Sequence, residues 1–303
     1  MSDTGTFGFV GNGVQFPGKN NVVRDGSGSN AFGWHHRTLG PWSFAAGFRN
    51  VVSGASAFAA GGFNISSGAN STSTGVNNTA SGAESFCCGN GSTASGSWSF
   101  ASTRLNTSSG NASATFGQNN TATSFYTFAQ GIASTASDIN AVCFGAYGLA
   151  SRYGEFAHAG IGISSAGVSQ HGWLIYGNQS TSATPILLYL DGSAATKNAV
   201  LAAGARWKCT LEIMAATTGA IDKSASWEYK FQIDRPTTAS TTIIRTTPLL
   251  TLSDGSNAGA PPAGWSIAIT ADTTNGCPQI QFTGDSDTIN VTGALHYVQA
   301  IRV

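Results

Sequence analysis

The sequence predicts an all-β chain in two parts, a parallel β-solenoid of 14-residue turns followed by an antiparallel β-sandwich. Three observations carry this. Glycine recurs at Gly33, Gly47, Gly61, Gly75 and Gly89, and again at Gly117, Gly131 and Gly145, and a fixed period of this kind marks a repeat architecture. A second glycine column lies midway, at Gly26, Gly40, Gly54, Gly68, Gly82, Gly96 and Gly110. After about Gly160 the period stops and strict apolar–polar alternation takes over, as in Trp227-Glu-Tyr-Lys-Phe-Gln-Ile-Asp234, the pattern of a half-buried strand.

Composition agrees. Glycine is nearly twice its usual share at 39 of 303 residues, charged residues are only 9%, and 17 Phe and 7 Trp must find burial. Net charge is zero, which gives no electrostatic footprint for nucleic acid or an anionic membrane. The five cysteines show no C-x-x-C or Cys/His spacing, so no zinc site or disulfide framework is predicted. Cys87 and Cys143 share a repeat column with Ala45, Ala59 and Ala101 and read as small buried hydrophobes.

In chain order, residues 1–28 precede the regular repeat and read as an attachment segment. Their start, Met-Ser-Asp-Thr-Gly, lacks the basic and apolar regions of a secretory signal, so export by the general pathway is not expected. Residues 29–162 form the solenoid. Each turn reads as two short strands and two bends, with glycine supplying bends that other residues resist. Small residues fill the column of Ser43, Ala57, Ser71, Ser85 and Ser99 and that of Ala31, Ala45, Ala59, Ser73 and Ala101. Asn50, Asn64, Asn78, Asn106 and Asn120 fall at one position, which predicts stacked side-chain amides if the turns lie in register. Phe44, Phe58, Phe86, Phe100 and Phe128, or alternatively Phe32, Phe116 and Phe144, take one of two neighbouring slots. Their recurrence favours a core role over an exposed sugar-stacking stripe. Only Arg49, Glu84, Arg104 and Asp138 are charged between Thr38 and Ser151, so the outer surface is expected to be covered by other copies in a homotrimer.

The segments Ser43-Phe-Ala-Ala-Gly47, Ala57-Phe-Ala-Ala-Gly61, Thr79-Ala-Ser-Gly82 and Ser113-Ala-Thr-Phe-Gly117 resemble the head repeats of the YadA-type trimeric adhesins. The resemblance implies a left-handed parallel β-roll in which three chains associate side by side. This sequence shows none of those adhesins' signal peptide, heptad stalk or membrane anchor, which directs the resemblance to bacteriophage fibres that carry the same roll and assemble in the host cytoplasm.

Residues 163–303 form the sandwich. Trp207 to Ile213, Trp265 to Ile269, Gln279 to Phe282 and Tyr297 to Val303 alternate like Trp227 to Asp234, and Asp191-Gly, Asp254-Gly and Asn275-Gly punctuate them as turns. The segments Gly154-Glu-Phe-Ala-His-Ala159, Ile186-Leu-Leu-Tyr-Leu-Asp-Gly192 and Ala294-Leu-His-Tyr-Val-Gln-Ala-Ile-Arg302 resemble distal domains of phage tail fibres. That resemblance implies trimeric heads that contact the host surface.

No catalytic grouping is visible among the five histidines and fourteen carboxylates. Glu84 and Asp138, nearly four turns apart, cannot cooperate in one chain, and neither enzyme activity nor a cofactor is expected. Trp34-His35-His36 reads as packing at the start of the roll rather than a metal site. The loop from Ser253 to Gly264 is polar and long, and recognition concentrates in such loops. Asp254, Ser256, Asn257 and Trp265 are therefore the receptor-contact candidates, although the alternation of Trp265 with Ile267 favours burial for that residue. The function expected is a trimeric virion fibre, bound to a phage protein at its N-terminal end and to host surface glycan or protein at its C-terminal end, without nucleic acid or membrane insertion. A capsid-decorating head fibre or cement protein is the alternative reading, and a bacterial trimeric adhesin the third.

Overall fold

A computed structural model describes residues 9–10, 13–14, 21–23, 28–160, 165–219, 223–255 and 261–302. They contain strands, bends and two short 3-10 turns, with no α-helix among the described residues. Most of the attachment segment expected at 1–28 lies outside them. The chain divides into two compact units, 1–140 and 141–303.

The first unit is a parallel β-solenoid. Each turn contributes a five-residue strand, such as Phe44–Phe48, Phe58–Gly62 and Thr72–Val76, and a two-residue strand, such as Val51–Val52, Ile65–Ser66 and Thr79–Ala80. Equivalent strands pair in parallel with a shift of one repeat, Phe44 opposite Phe58 and Phe58 opposite Thr72. The period read from glycine is thus the hydrogen-bonding register itself.

The two glycine columns have different causes. Gly61 sits at φ +110°, and a Cβ there would lie 2.1 Å from the carbonyl oxygen of Gly75 one turn on. Gly82 has no positive φ, but a Cβ would meet the Gly96 oxygen at 1.9 Å. The first column needs both an unusual dihedral and space, the second only space. Where Thr103 replaces the first-column glycine, at φ 80°, the ladder between Phe86–Asn90 and Phe100–Arg104 keeps only the pairs Phe86–Phe100, Cys87–Ala101 and Asn90–Arg104.

The interior is narrow. Ala45, Ala59, Ser73, Cys87 and Ala101 point inward from the long strands and Val52, Ser66, Ala80 and Ala94 from the short ones, all fully buried. Polar members face polar members: the hydroxyls of Ser66 and Ser73 are 2.6 Å apart, and those of Ser108 and Thr115 2.8 Å. This corrects the expectation that the phenylalanines are core. Side chains alternate along a strand, so with Ala45 inside, Phe44 and position 46 must point out. Both aromatic slots, represented by Phe100 and Phe116, lie on that outer face.

Asn50, Asn64, Asn78, Asn106 and Asn120 are fully buried and recur turn by turn, but they bond to backbone instead of to one another. The Asn64 amide donates to the carbonyls of Ala60 (2.9 Å) and Gly75 (2.8 Å), and its Oδ1 accepts the N–H of Asn78 (3.0 Å). Every polar atom of the rung is used, as burial demands. His36 holds the same position one repeat before Asn50. Its Nε2 bonds the Phe32 carbonyl at 2.8 Å, and its Nδ1 accepts the Asn50 N–H at 3.2 Å. It is a rung of this ladder, as its burial requires.

The second unit opens with two further turns, whose long strands are Val142–Ala146 and Phe156–Ala159. The latter pairs antiparallel with Ser169–Ser180, His158 opposite His171. From there the sheet runs through Ile289–Ile301, Ala205–Thr217 and Ser224–Asp234, all antiparallel. A three-stranded sheet of Ile186–Leu187, Cys277–Thr283 and Ser266–Asp272 supplies further strands. Trp207, Leu211, Ile213, Trp227, Phe282 and Leu295 belong to one core, so the alternation read in these strands is the alternation of burial.

Candidate recognition surfaces

Around one turn of the first unit the outer surface has four parts, of which the corner at the end of each long strand carries exposed Phe63, Leu105 and Ile132 and the other three have distinct chemistries. From Thr79 to Thr135 the short-strand side is hydroxylic: Thr79, Thr93, Thr107, Thr121 and Thr135 line up turn over turn, beside exposed Ser81, Ser95, Ser109 and Thr123, whereas the two preceding turns place Val51 and the 40% exposed Ile65 at that position. The long-strand side is aromatic. Phe44 stacks on Phe58 with ring centroids 5.4 Å apart, Phe86 on Phe100 at 5.3 Å, and Phe100 on Phe116 at 5.0 Å. Phe58 and Phe86 retain more than a third of their surface, at 36% and 37%. Stacking from turn to turn hides their faces and leaves the outer edges open.

The third surface is the corner that precedes each long strand. The corner residue there is left-handed in every turn, with φ 55° at Trp42, 54° at Asn70, 55° at Glu84, 56° at Trp98 and 58° at Tyr126. Trp42 is 73% exposed, Trp98 63% and Tyr126 64%. Bulky residues are unusual in this conformation. The Trp42 ring lies over Gly28, where a Cβ would come within 2.8 Å of its Cδ1. The Trp98 indole donates to Glu84 Oε2 at 3.0 Å.

In the second unit the main polar feature is buried. Arg152 Nη1 meets Glu155 Oε1 at 2.6 Å, and Glu155 Oε2 accepts the N–H groups of Ser151 (2.7 Å) and Arg152 (3.0 Å). The Tyr297 hydroxyl donates to Glu155, and burial raises its pKa well above the ordinary value, with the Glu155 charge adding to the effect. Arg152 also donates through Nε to the Val200 carbonyl (2.7 Å) and lies 4.6 Å from the centre of Trp207, which stacks on Tyr297. This network joins the last solenoid turn to the antiparallel sheet. Its only sequence signal was Arg152 standing in the second glycine column.

The receptor candidates fall as follows. Ser256 and Asn257 lie outside the described residues. Asp254 sits in the strand Leu249–Gly255, opposite Ser226. Trp265 is 5% exposed, packs edge-on against Phe282 and donates to Asp285 Oδ2 at 3.0 Å. It is a core residue and not a surface anchor: placed just before the strand Ser266–Asp272, it packs into the core of the second unit. Burial pushes the Asp285 carboxyl up, but hydrogen bonds from the Asp287 N–H, Lys223 and Trp265 outweigh this and hold it at about 2. A concavity of about 390 Å³ on the outer sheet face, lined by Glu212, Met214, Trp227 and Glu228 among others, went unseen in the sequence. It brings Glu212 directly opposite Glu228, and Glu228 is paired to Lys230 at 2.9 Å. Among the described residues no group of three or more His, Cys, Asp or Glu side chains is arranged to hold a metal ion.

No family model matches the chain, and no curated protein does. Among solved structures it is similar to the tailspike protein of Acinetobacter baumannii phage AM24, at 10% identity and a TM-score of 0.29 over 94% of this chain and 58% of that one. It is also similar to the tailspike of Acinetobacter phage vB_ApiP_P1, at 11% identity and a TM-score of 0.25 over 96% of this chain and 55% of that one. The chain therefore spans little more than half the length of either tailspike.

Proposed function

We propose that the chain is a non-enzymatic structural subunit of a bacteriophage fibre. Three copies associate along the aromatic side of the solenoid, residues 1–28 attach to the virion, and residues 163–303 contact host surface glycan or protein. The observation that supports this is the asymmetry of the turns from Thr79 to Thr135, with hydroxyls along the short-strand side and phenylalanines along most of the long-strand side. Solvent suits the first side, and contiguous apolar surface on a soluble protein marks an interface. The resemblance of the repeat to trimeric rolls points the same way.

Light scattering tests the assembly: three times the 30.9 kDa chain mass is expected. Phe100→Asp should give a folded monomer, while Thr107→Asp on the hydroxyl side should leave the trimer intact. A wild-type monomer overturns the packing. The host-facing role is tested by adsorption, since the purified full chain should compete with virions for cells. Labelling confined to capsids, with no block of adsorption by the full chain, favours the capsid-decorating reading instead.

A further inference from the structure

Beyond recognition by the C-terminal region, we infer that the corner carrying Trp42, Trp98 and Tyr126 is a second binding site, an edge that takes a linear glycan lying along the solenoid. Three features of the corner carry this. The aromatics are far more exposed, at 73%, 63% and 64%, than the stacked phenylalanines of the neighbouring side. Two of the three rings are held in place by the turn before them. Gly28 leaves room for the Trp42 indole to lie down on the backbone, and Glu84 fixes the edge of Trp98 through its N–H. A ring set in advance loses little conformational freedom on binding.

The spacing is the third feature. Strands in register place successive turns about 4.8 Å apart, so Trp42 and Trp98, four turns apart, are separated by about 19 Å, and Trp98 and Tyr126 by about 10 Å. One turn is close to the length of one pyranose unit in an extended chain. A glycan running parallel to the solenoid therefore brings a sugar ring to every corner residue. Between the aromatics the corner offers exposed Ser56, Asn70 and Glu84, side chains that hydrogen-bond sugar hydroxyls, whereas Trp and Tyr present flat apolar faces to the C–H side of a pyranose. A protein partner would call for a continuous apolar patch, and these interleaved polar residues break one up.

The experiment uses the full chain on arrayed lipopolysaccharides, capsular polysaccharides and linear hexasaccharides with their disaccharide counterparts. At least one linear glycan should be retained, the hexasaccharide more tightly than the disaccharide. Trp42→Ala, Trp98→Ala and Tyr126→Ala should each weaken retention about tenfold or more, as truncation of a stacking anchor does, with melting temperature and oligomeric mass unchanged. If no glycan is retained, or if retention is the same in all three variants, the inference fails. If Trp42→Ala or Trp98→Ala lowers the oligomeric mass, the edge is a contact between copies and the inference fails in that way. Adsorption blocking by the C-terminal region is read separately, so loss of one site leaves the other standing.

Discussion

Replacing Asn64 with Ala deletes three hydrogen bonds at once and leaves the Ala60 and Gly75 carbonyls and the Asn78 N–H without the partners they have at 2.9, 2.8 and 3.0 Å. Stranding a buried backbone group costs about 1–2 kcal/mol, so Asn64→Ala should destabilise the solenoid by about 3–6 kcal/mol. The protein supplies its own intermediate case. Ser92 occupies the rung after Asn78, and its Oγ accepts the Asn106 N–H at 3.2 Å. Asn64→Ser therefore keeps an acceptor for Asn78 and should recover about 1 kcal/mol of the loss. Asn77→Ala is the control, an exposed corner residue at φ 57°, where Ala133 adopts φ 52° four turns on. Its cost should stay near 1 kcal/mol, the strain of a left-handed alanine, about 1–2 kcal/mol at most. Urea unfolding of the three variants at one protein concentration, followed by circular dichroism, measures these differences. Equal shifts for Asn64→Ala and Asn77→Ala would refute the reading of the ladder, and so would an Asn64→Ser variant no more stable than Asn64→Ala.

Three further outcomes are expected. Burial pushes the His36 imidazole below its ordinary 6.5 against the backbone acceptors that favour its proton; the unfolded chain binds that proton more readily, so stability is whole above about pH 6.5 and declines below it. His36→Asn should flatten this decline in urea midpoints measured on either side of that value. Glu155→Gln should cost about 3–5 kcal/mol in thermal or urea unfolding because it leaves Arg152 charged and buried, and adding Arg152→Met should restore part of the loss; an additive double variant would contradict the coupling. Burial pushes the thiols of Cys87 and Cys277 up to about 12, so they should resist a thiol reagent until the chain unfolds. Cys88 is half-exposed on the aromatic side and should react faster in the Phe100→Asp monomer than in the trimer.

The period, both glycine columns and the inward small residues were legible because each is a local demand repeated every turn. The direction of the phenylalanines was equally legible and was misread. Recurrence at 14 residues is the same for inward and outward positions, and only the parity of the strand, with Ala45 in and Phe44 out, separates them. His36 as a rung needed one subtraction of the repeat from Asn50. The Arg152–Glu155–Tyr297 network was beyond reach, since Tyr297 arrives from 142 residues further along the chain. Glu212 and Glu228 likewise meet only through strand register. Trp265 illustrates the opposite case, in which alternation with Ile267 already argued for the core against the loop beside it.

The narrow interior explains why this surface matters. Alanine, serine and cysteine bring little apolar area into each turn, so much of the apolar surface of the first unit stands outside, on the stacked phenylalanines and on the corner residues. Phe58 and Phe86 each keep a little over a third of their surface open, about 60–70 Å² per residue, worth about 1.5 kcal/mol each when covered. Over those two residues that is about 3 kcal/mol per chain, a sizeable share of the whole stability of an ordinary domain. In the proposed trimer, association would supply burial that the interior of a 14-residue turn has no room to provide. It follows that the Phe100→Asp monomer should unfold at markedly lower urea than wild type, by more than the local cost of one exposed substitution. If the monomer proved as stable as the assembled protein, the aromatic side would not be the reserve on which the solenoid depends.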